Sequence, residues 1–111
     1  MKNHEKNTDF RRSKAFRTLK QAILDNLAAR GLDHEVYADM VEEYMSFWVL
    51  LQKLEADIDQ HGLTVTDDRG RQTANPCVSM KAQVSRQKLA LFNALGFKPS
   101  DFVGLGDDDD L

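Results

Sequence analysis

The chain has 111 residues, 41% hydrophobic and 30% charged, which is one domain's worth of globular protein and too apolar for a wholly disordered one. Its single cysteine, Cys77, excludes an internal disulfide, and no Cys/His cluster has metal-ligand spacing. No apolar run approaches the roughly 18 residues of a membrane-crossing helix. The N-terminus MKNHEKNTDFRRSK carries no apolar segment behind its charges. The expected setting is therefore cytoplasmic, with no membrane partner.

The net charge of −3 hides a strong segregation. Residues 1–30 carry eight Lys/Arg against three Asp/Glu, residues 31–62 one Lys against eight acids, and residues 63–103 six basic against three acidic. The last eight residues carry Asp107 to Asp110 and no base. Two basic blocks flank an acidic one, and a basic segment can hold phosphate although the whole chain is acidic.

Residues 1–10 are polar and read as a flexible arm. From about Arg11 to Arg30 an amphipathic helix is predicted, with Phe16, Leu19, Ile23 and Leu27 on one stripe. Arg11, Arg12, Lys14, Arg17 and Lys20 crowd its first half. Cations there oppose the helix macrodipole, and a phosphate ligand would relieve that. Gly31 suits the left-handed residue past the helix end.

Asp33 is the expected N-cap of a second helix running to about Gln60 and closed by Gly62. Its line Tyr37, Met40, Tyr44, Trp48 and Leu51 fits a core or a subunit interface. At 1.5 Å per residue this helix is on the order of 40 Å long, more than a small domain covers alone. We therefore expect these five residues at an oligomer interface.

The segment LTVTDDRGRQT predicts a short β-hairpin or a simple loop. Asn75-Pro76 then starts a third helix, on which Val78, Ala82, Ser85, Leu89 and Phe92 form the expected stripe, widened by Leu91, Ala94 and Leu95. Gly96 ends it, and Ser100 is placed to cap a last turn through Phe102. The fold class is all-α, three main helices with a small hairpin or loop between the second and third, two of them antiparallel and the third packed across. Residues 11–103 form the domain, and 104–111 a flexible acidic tail.

Enzymatic chemistry finds little support. His4, His34 and His61 are scattered, and no GxxxxGK[ST] loop occurs. Cys77 lacks a positioned base in sequence, and a small buried thiol is the commoner state. Glu42/Glu43 and Asp67/Asp68 read as solvated pairs. No catalysis, cofactor or metal is expected. The Arg11–Lys20 cluster is either a solvated face or an anion site, and its lack of any acid favours the anion. Arg69, Arg71, Lys81, Arg86 and Lys88, around the hairpin and third helix, form a second and more scattered basic set.

From Gly62 onward the chain reads HGLTVTDDRGRQTANPCVSMKAQVSRQKLALFNALGFKPSDF, counted from His61. This order resembles the C-terminal signature of a family of phage terminase small subunits, with Gly62, Leu63, Thr64, Gly70, Asn75, Pro76, Leu95, Gly96, Pro99 and Ser100 at the matching positions. The resemblance implies a mostly helical, ring-forming homo-oligomer that is not an enzyme. It implies that the chain binds double-stranded viral DNA and recruits or regulates a terminase large subunit holding the ATPase and nuclease.

The signature glycines have a physical use as backbone corners, and Asn75-Pro76 as a rigid turn, so these residues are expected to hold the fold and not to touch DNA. The helix–Gly31–helix outline resembles a helix-turn-helix, but Glu35, Asp39, Glu42 and Glu43 on its second helix would repel phosphate. DNA contact is thus expected from Arg11, Arg12, Lys14, Arg17, Lys20, Arg69 and Arg71, reading backbone and shape. The acidic tail is expected to be solubilising, with docking on the large subunit or over the basic arm as alternatives. The rival functions are a small dimeric DNA-binding regulator or antitoxin-like repressor, and a protein-only adaptor. A large-terminase gene next to this one would separate them.

Overall fold

The computed structural model describes residues 9–105, so most of the expected N-terminal arm and of the acidic tail lies outside the described residues. Three helices form, α1 (Lys14–Ala29), α2 (Glu35–His61) and α3 (Pro76–Ala94), with strands β1 (Thr64–Thr66) and β2 (Gln72–Ala74) between α2 and α3. The strands pair antiparallel with Thr64 opposite Ala74 and Thr66 opposite Gln72. Of the two readings of this segment, the hairpin is the one adopted.

The α-helix begins three residues later than the sequence suggested. Phe10–Arg12 is a separate 3-10 turn, and the Ser13 hydroxyl accepts from the Phe16 amide at 3.1 Å, which makes Ser13 the N-cap. A serine at that place competes for the backbone and fixes the start. Arg11 and Arg12 therefore precede α1. At α2 the cap falls on His34, with no side-chain bond, in place of Asp33. The last 3-10 turn, Pro99–Phe102, is held by the Asp101 carboxylate accepting from the Lys98 amide at 2.8 Å, the task assigned to Ser100 in the sequence reading.

α2 is the spine. Along it, Phe16 meets Trp48 and Lys20 meets Glu42, so α1 runs antiparallel on its N-terminal half. Tyr44 meets Phe92, Leu51 and Leu54 pack with Val84, and Asp57 meets Asn75, so α3 also runs antiparallel to α2 and is not laid across the pair. The main core joins Phe16, Ile23 and Leu27 to Val41, Tyr44, Met45 and Trp48, closed by Leu95 and Phe97. A smaller cluster of Leu51, Leu54 and Val84 lies farther along α2. The result is elongated, 56 × 29 × 25 Å.

The expected stripe of α3 is one helical row out of register. Val84 and Leu95 are buried, with Leu91 and Phe92 half-buried beside them. Val78 and Leu89 are exposed, Leu89 by 58%. The face toward α2 runs through Cys77, Lys81, Val84, Lys88, Leu91 and Leu95, and its two lysines disguise the period. Lys88 lays its ammonium over the Tyr44 ring at 5.1 Å from the centroid, keeping its apolar stem inside. Burial lowers its pKa, with Glu55 acting in the opposite sense.

Two polar clamps close the ends. Arg30 donates to the Leu95 carbonyl at 3.0 Å and lies over Phe97, tying the end of α1 to the end of α3. Beside it Gly96 adopts φ 77°, and a Cβ there would stand 2.7 Å from the Arg30 guanidinium. Gly96→Ala is expected to cost about 1–2 kcal/mol, the penalty of the left-handed region, plus loss of the Arg30 bond. Urea unfolding of the variant would check it.

At the other end Asn75 is buried, 3% exposed. Its amide donates to the Asp57 carboxylate at 3.1 Å and to the Gly62 carbonyl at 2.9 Å, while its own carbonyl accepts from the Cys77 amide at 2.9 Å. Gly62 itself sits at φ 86°, ψ −174°, a region open essentially to glycine alone. One side chain thus joins the end of α2 to the start of α3. The Asn75 bond, followed by one from Cys77, holds the Asp57 carboxyl below its ordinary value. A lowered carboxylate pKa contributes stability above its unfolded value near 4 and loses it as pH falls through the folded value. Asn75→Ala is expected to cost about 1–3 kcal/mol at neutral pH, from the lost cap and the orphaned carbonyl. Its deficit against wild type should narrow in acid, which unfolding curves at pH 7 and pH 3 would read.

Candidate nucleic-acid interface

The first turn of α1 contains no acid, and Lys14 and Arg17 are exposed on it. Arg12 stands next to them, because the Arg17 guanidinium donates to the Arg12 carbonyl. Arg12 itself is paired with Asp9 at 3.1 Å, its side chain 87% exposed. A pair so open to water is worth little and exchanges readily for a phosphate. Arg12, Lys14 and Arg17 therefore make one cationic end, placed where the helix dipole is also positive.

Arg11 and Lys20 serve a different purpose. Arg11 donates to the Ser46 hydroxyl at 3.1 Å and lies over the Phe16 ring, and Lys20 pairs with Glu42 at 2.6 Å. Both reach across to α2 and hold α1 on it. Arg11 and Lys20 of the sequence cluster are thus committed to α2.

Arg69 and Arg71 lie apart from this end, in the hairpin turn beyond the C-terminus of α2. Since Phe16 contacts Trp48 and α2 continues to His61, the separation along α2 is roughly 20 Å at 1.5 Å per residue. Asp67 organises the turn, accepting from the Arg69 and Arg71 amides at 2.9 Å each and from the Arg71 guanidinium at 3.3 Å. These bonds, the Arg71 amide first, lower the Asp67 pKa. With Asp67 and Asp68 beside Arg69 and Arg71, the tip has no net charge.

The line Tyr37, Met40, Tyr44, Trp48 and Leu51 divides. Tyr44, Trp48 and Leu51 are buried within the chain, and Tyr37 and Met40 are half-buried at the core edge. Of the two roles the sequence left to this line, the intrachain core takes three of the five residues. Tyr44, Leu51, Leu89, Phe92 and Pro99, with Ser85 and Lys88, also line a groove of about 430 Å³. Burial raises the Tyr44 pKa.

Cys77 is half-buried against Asp57, and desolvation followed by the Asp57 bond raises its pKa, which disfavours the thiolate. Among the described residues no cluster of His, Cys, Asp or Glu could hold a metal ion. None of their helices is long and apolar enough to cross a membrane.

Sequence reasoning missed Arg30 and Leu105, and it placed Lys88 in a scattered basic set and not against Tyr44. Neither Lys88 nor Arg30 carries a motif, and only the packing of α3 on α2 and of the α1 end on the α3 end reveals them. Leu105, the last described residue, lines an open cavity beside α1 together with Arg17, Thr18, Gln21, Ala22 and Asp25.

A family model described as phage terminase, small subunit, matches residues 17–106. No curated protein and no solved structure matches the chain.

Proposed function

The chain belongs to the family of phage terminase small subunits, and from that premise we propose that it is the non-catalytic DNA-binding partner of a separate ATPase and nuclease subunit in genome packaging. The observation that carries this reading is the match over residues 17–106. The cationic end formed by Arg12, Lys14 and Arg17 supports it, because it offers a phosphate three exposed cations and a favourable dipole. That end straddles the start of the matched span, so the DNA role of Arg12 and Lys14 rests on their chemistry. Arg69 would add reach along the duplex, with Arg71 held by Asp67.

The working form is a homo-oligomer in the host cytoplasm, a ring in which each protomer contributes one weak cationic end. Many weak ends on one body give useful affinity, since every site after the first binds at high effective concentration. The elongated shape and the exposed Val78, Met80 and Leu89 of α3 favour association. Tyr37 and Met40 remain available to an interface, whereas Tyr44, Trp48 and Leu51 are occupied inside the chain.

Native mass with and without a short duplex tests the proposal. An assembly of many copies, with duplex affinity falling steeply with salt, is the expected result. A plain dimer holding one duplex would transfer the assignment to a repressor.

A further inference from the structure

The stripe Val78, Ala82, Ser85, Leu89 and Phe92 on α3 is turned away from the core over most of its length. Its residues recur at spacings of four and three, the repeat with which one helix seats on another. Val78, Ala82, Ser85 and Leu89 are exposed, and Phe92 is half-buried. α2 carries a second row of the same spacing, Val36, Met40, Glu43, Phe47 and Leu50. Val36, Glu43 and Leu50 are exposed, Val36 by 67%, while Met40 and Phe47 are half-buried. Each row covers 14 steps, from residue 78 to 92 and from 36 to 50, or about 21 Å of helix.

We propose that the α3 row of one copy seats on the α2 row of the next, and that this contact between unlike faces builds the homo-oligomer. The inference rests on the homo-oligomer reading above and adds the faces that meet.

Three observations carry it. The first is charge. α3 holds Lys81, Arg86 and Lys88 and no acid, whereas residues 33–52 hold Asp33, Glu35, Asp39, Glu42 and Glu43 and no Lys or Arg. Among the described residues, Lys81, Arg86 and Lys88 make no ion pair, and neither do Glu35, Asp39 and Glu43. Two copies of α3 laid together would set cations against cations, so charge selects α2 as the counterpart. A carboxylate from the next copy would also offset the desolvation that Lys88 meets beside Tyr44.

The second is register. Glu43 and Ser85 each lie seven positions from both ends of their rows. They therefore coincide when the rows overlap fully, whether the helices run parallel or antiparallel. Glu43 then falls beside Arg86 and Lys88, and Val36 and Leu50 meet Val78 and Phe92. Ala82 and Ser85 are small enough to let the two helices approach. The groove of about 430 Å³ lined by Leu89 and Phe92 receives whichever apolar end of the α2 row lies over it.

The third is placement. Glu43 and Leu50 lie about 100° round α2 from Tyr44 and Leu51, which line that groove. The α2 row is thus on a different face from the groove, and one protomer offers both at once. A contact between unlike faces leaves one of each open at every step, so copies add until the assembly closes.

Native mass without DNA tests the contact, with urea unfolding to show that each variant folds. Glu43 and Arg86 are both exposed, outside the core. Glu43→Arg and Arg86→Glu, each alone, should weaken self-association by about 100-fold or more, because each brings like charges together at its centre. Both substitutions in one chain restore the pair with its charges exchanged, and the mass should return to that of wild type. Loss in both single variants with recovery in the double supports the pairing.

Single variants that assemble as wild type does overturn the contact and leave the homo-oligomer reading standing. So does dissociation of only one of them, or of both without recovery in the double. A wild-type chain that stays monomeric overturns the contact and the homo-oligomer reading together.

Discussion

Changing Arg12, Lys14 and Arg17 together to Glu is expected to reduce duplex affinity at low salt by at least about 100-fold and to flatten its salt dependence. These three cations share one exposed end and leave the core untouched, while Arg11 and Lys20 are kept because they tie α1 to α2. Each phosphate contact contributes about 0.9 to the slope of log affinity against log salt. Losing three contacts per protomer should lower that slope by roughly 2.7 for each protomer engaged. Arg69→Glu is the contrasting variant. It sits on a tip that Asp67 and Asp68 already neutralise, so a change of about threefold or less is expected. Fluorescence-anisotropy titrations at several salt concentrations would read both. Unchanged binding by the triple variant would remove the cationic end from the function, and a larger loss from Arg69→Glu would move the interface to the hairpin.

The basic cluster shows how far the sequence could be read. Composition located the cations correctly along the chain, since charge segregation survives folding whatever the side chains do. It could not say that Ser13 would cap the helix, nor that Arg11 and Lys20 would turn toward α2. The last two outcomes depend on partners 35 and 22 residues away, Ser46 and Glu42. The helices, the hairpin and the Gly62 and Asn75 corners were legible because each rests on local backbone chemistry. The face of α3 was misread for a physical reason. Its inner row includes Lys81 and Lys88, whose long stems pack while their charged ends reach out, so hydropathy alone favours the neighbouring row. Leu105 gave no signal at all, because a single leucine between two glycines has no period to read.

Trp48→Ala is expected to cost about 3–5 kcal/mol, a large part of the 5–15 kcal/mol that holds a typical domain together. The indole is buried between α1 and α2, edge-on to Phe16 with ring centroids 5.8 Å apart. Deleting it opens a cavity between α1 and α2, and removes an aromatic pair worth about 1 kcal/mol beyond its area. Trp48→Phe, which keeps a ring, should cost far less, about 1.5 kcal/mol or below. The experiment also decides between the two roles open to this residue. A core tryptophan destabilises the protomer by an amount independent of protein concentration. An interface tryptophan would instead lower the native mass and leave a concentration-dependent melting temperature. Thermal unfolding at two concentrations a hundredfold apart, with native mass measured alongside, separates them. If Trp48→Ala dissociates the assembly yet leaves the isolated protomer as stable as before, the line from Tyr37 to Leu51 returns to the interface. If the protomer itself unfolds, the oligomer must be built from the surfaces this core leaves outside, Tyr37 and Met40 at its edge and the outward row of α3.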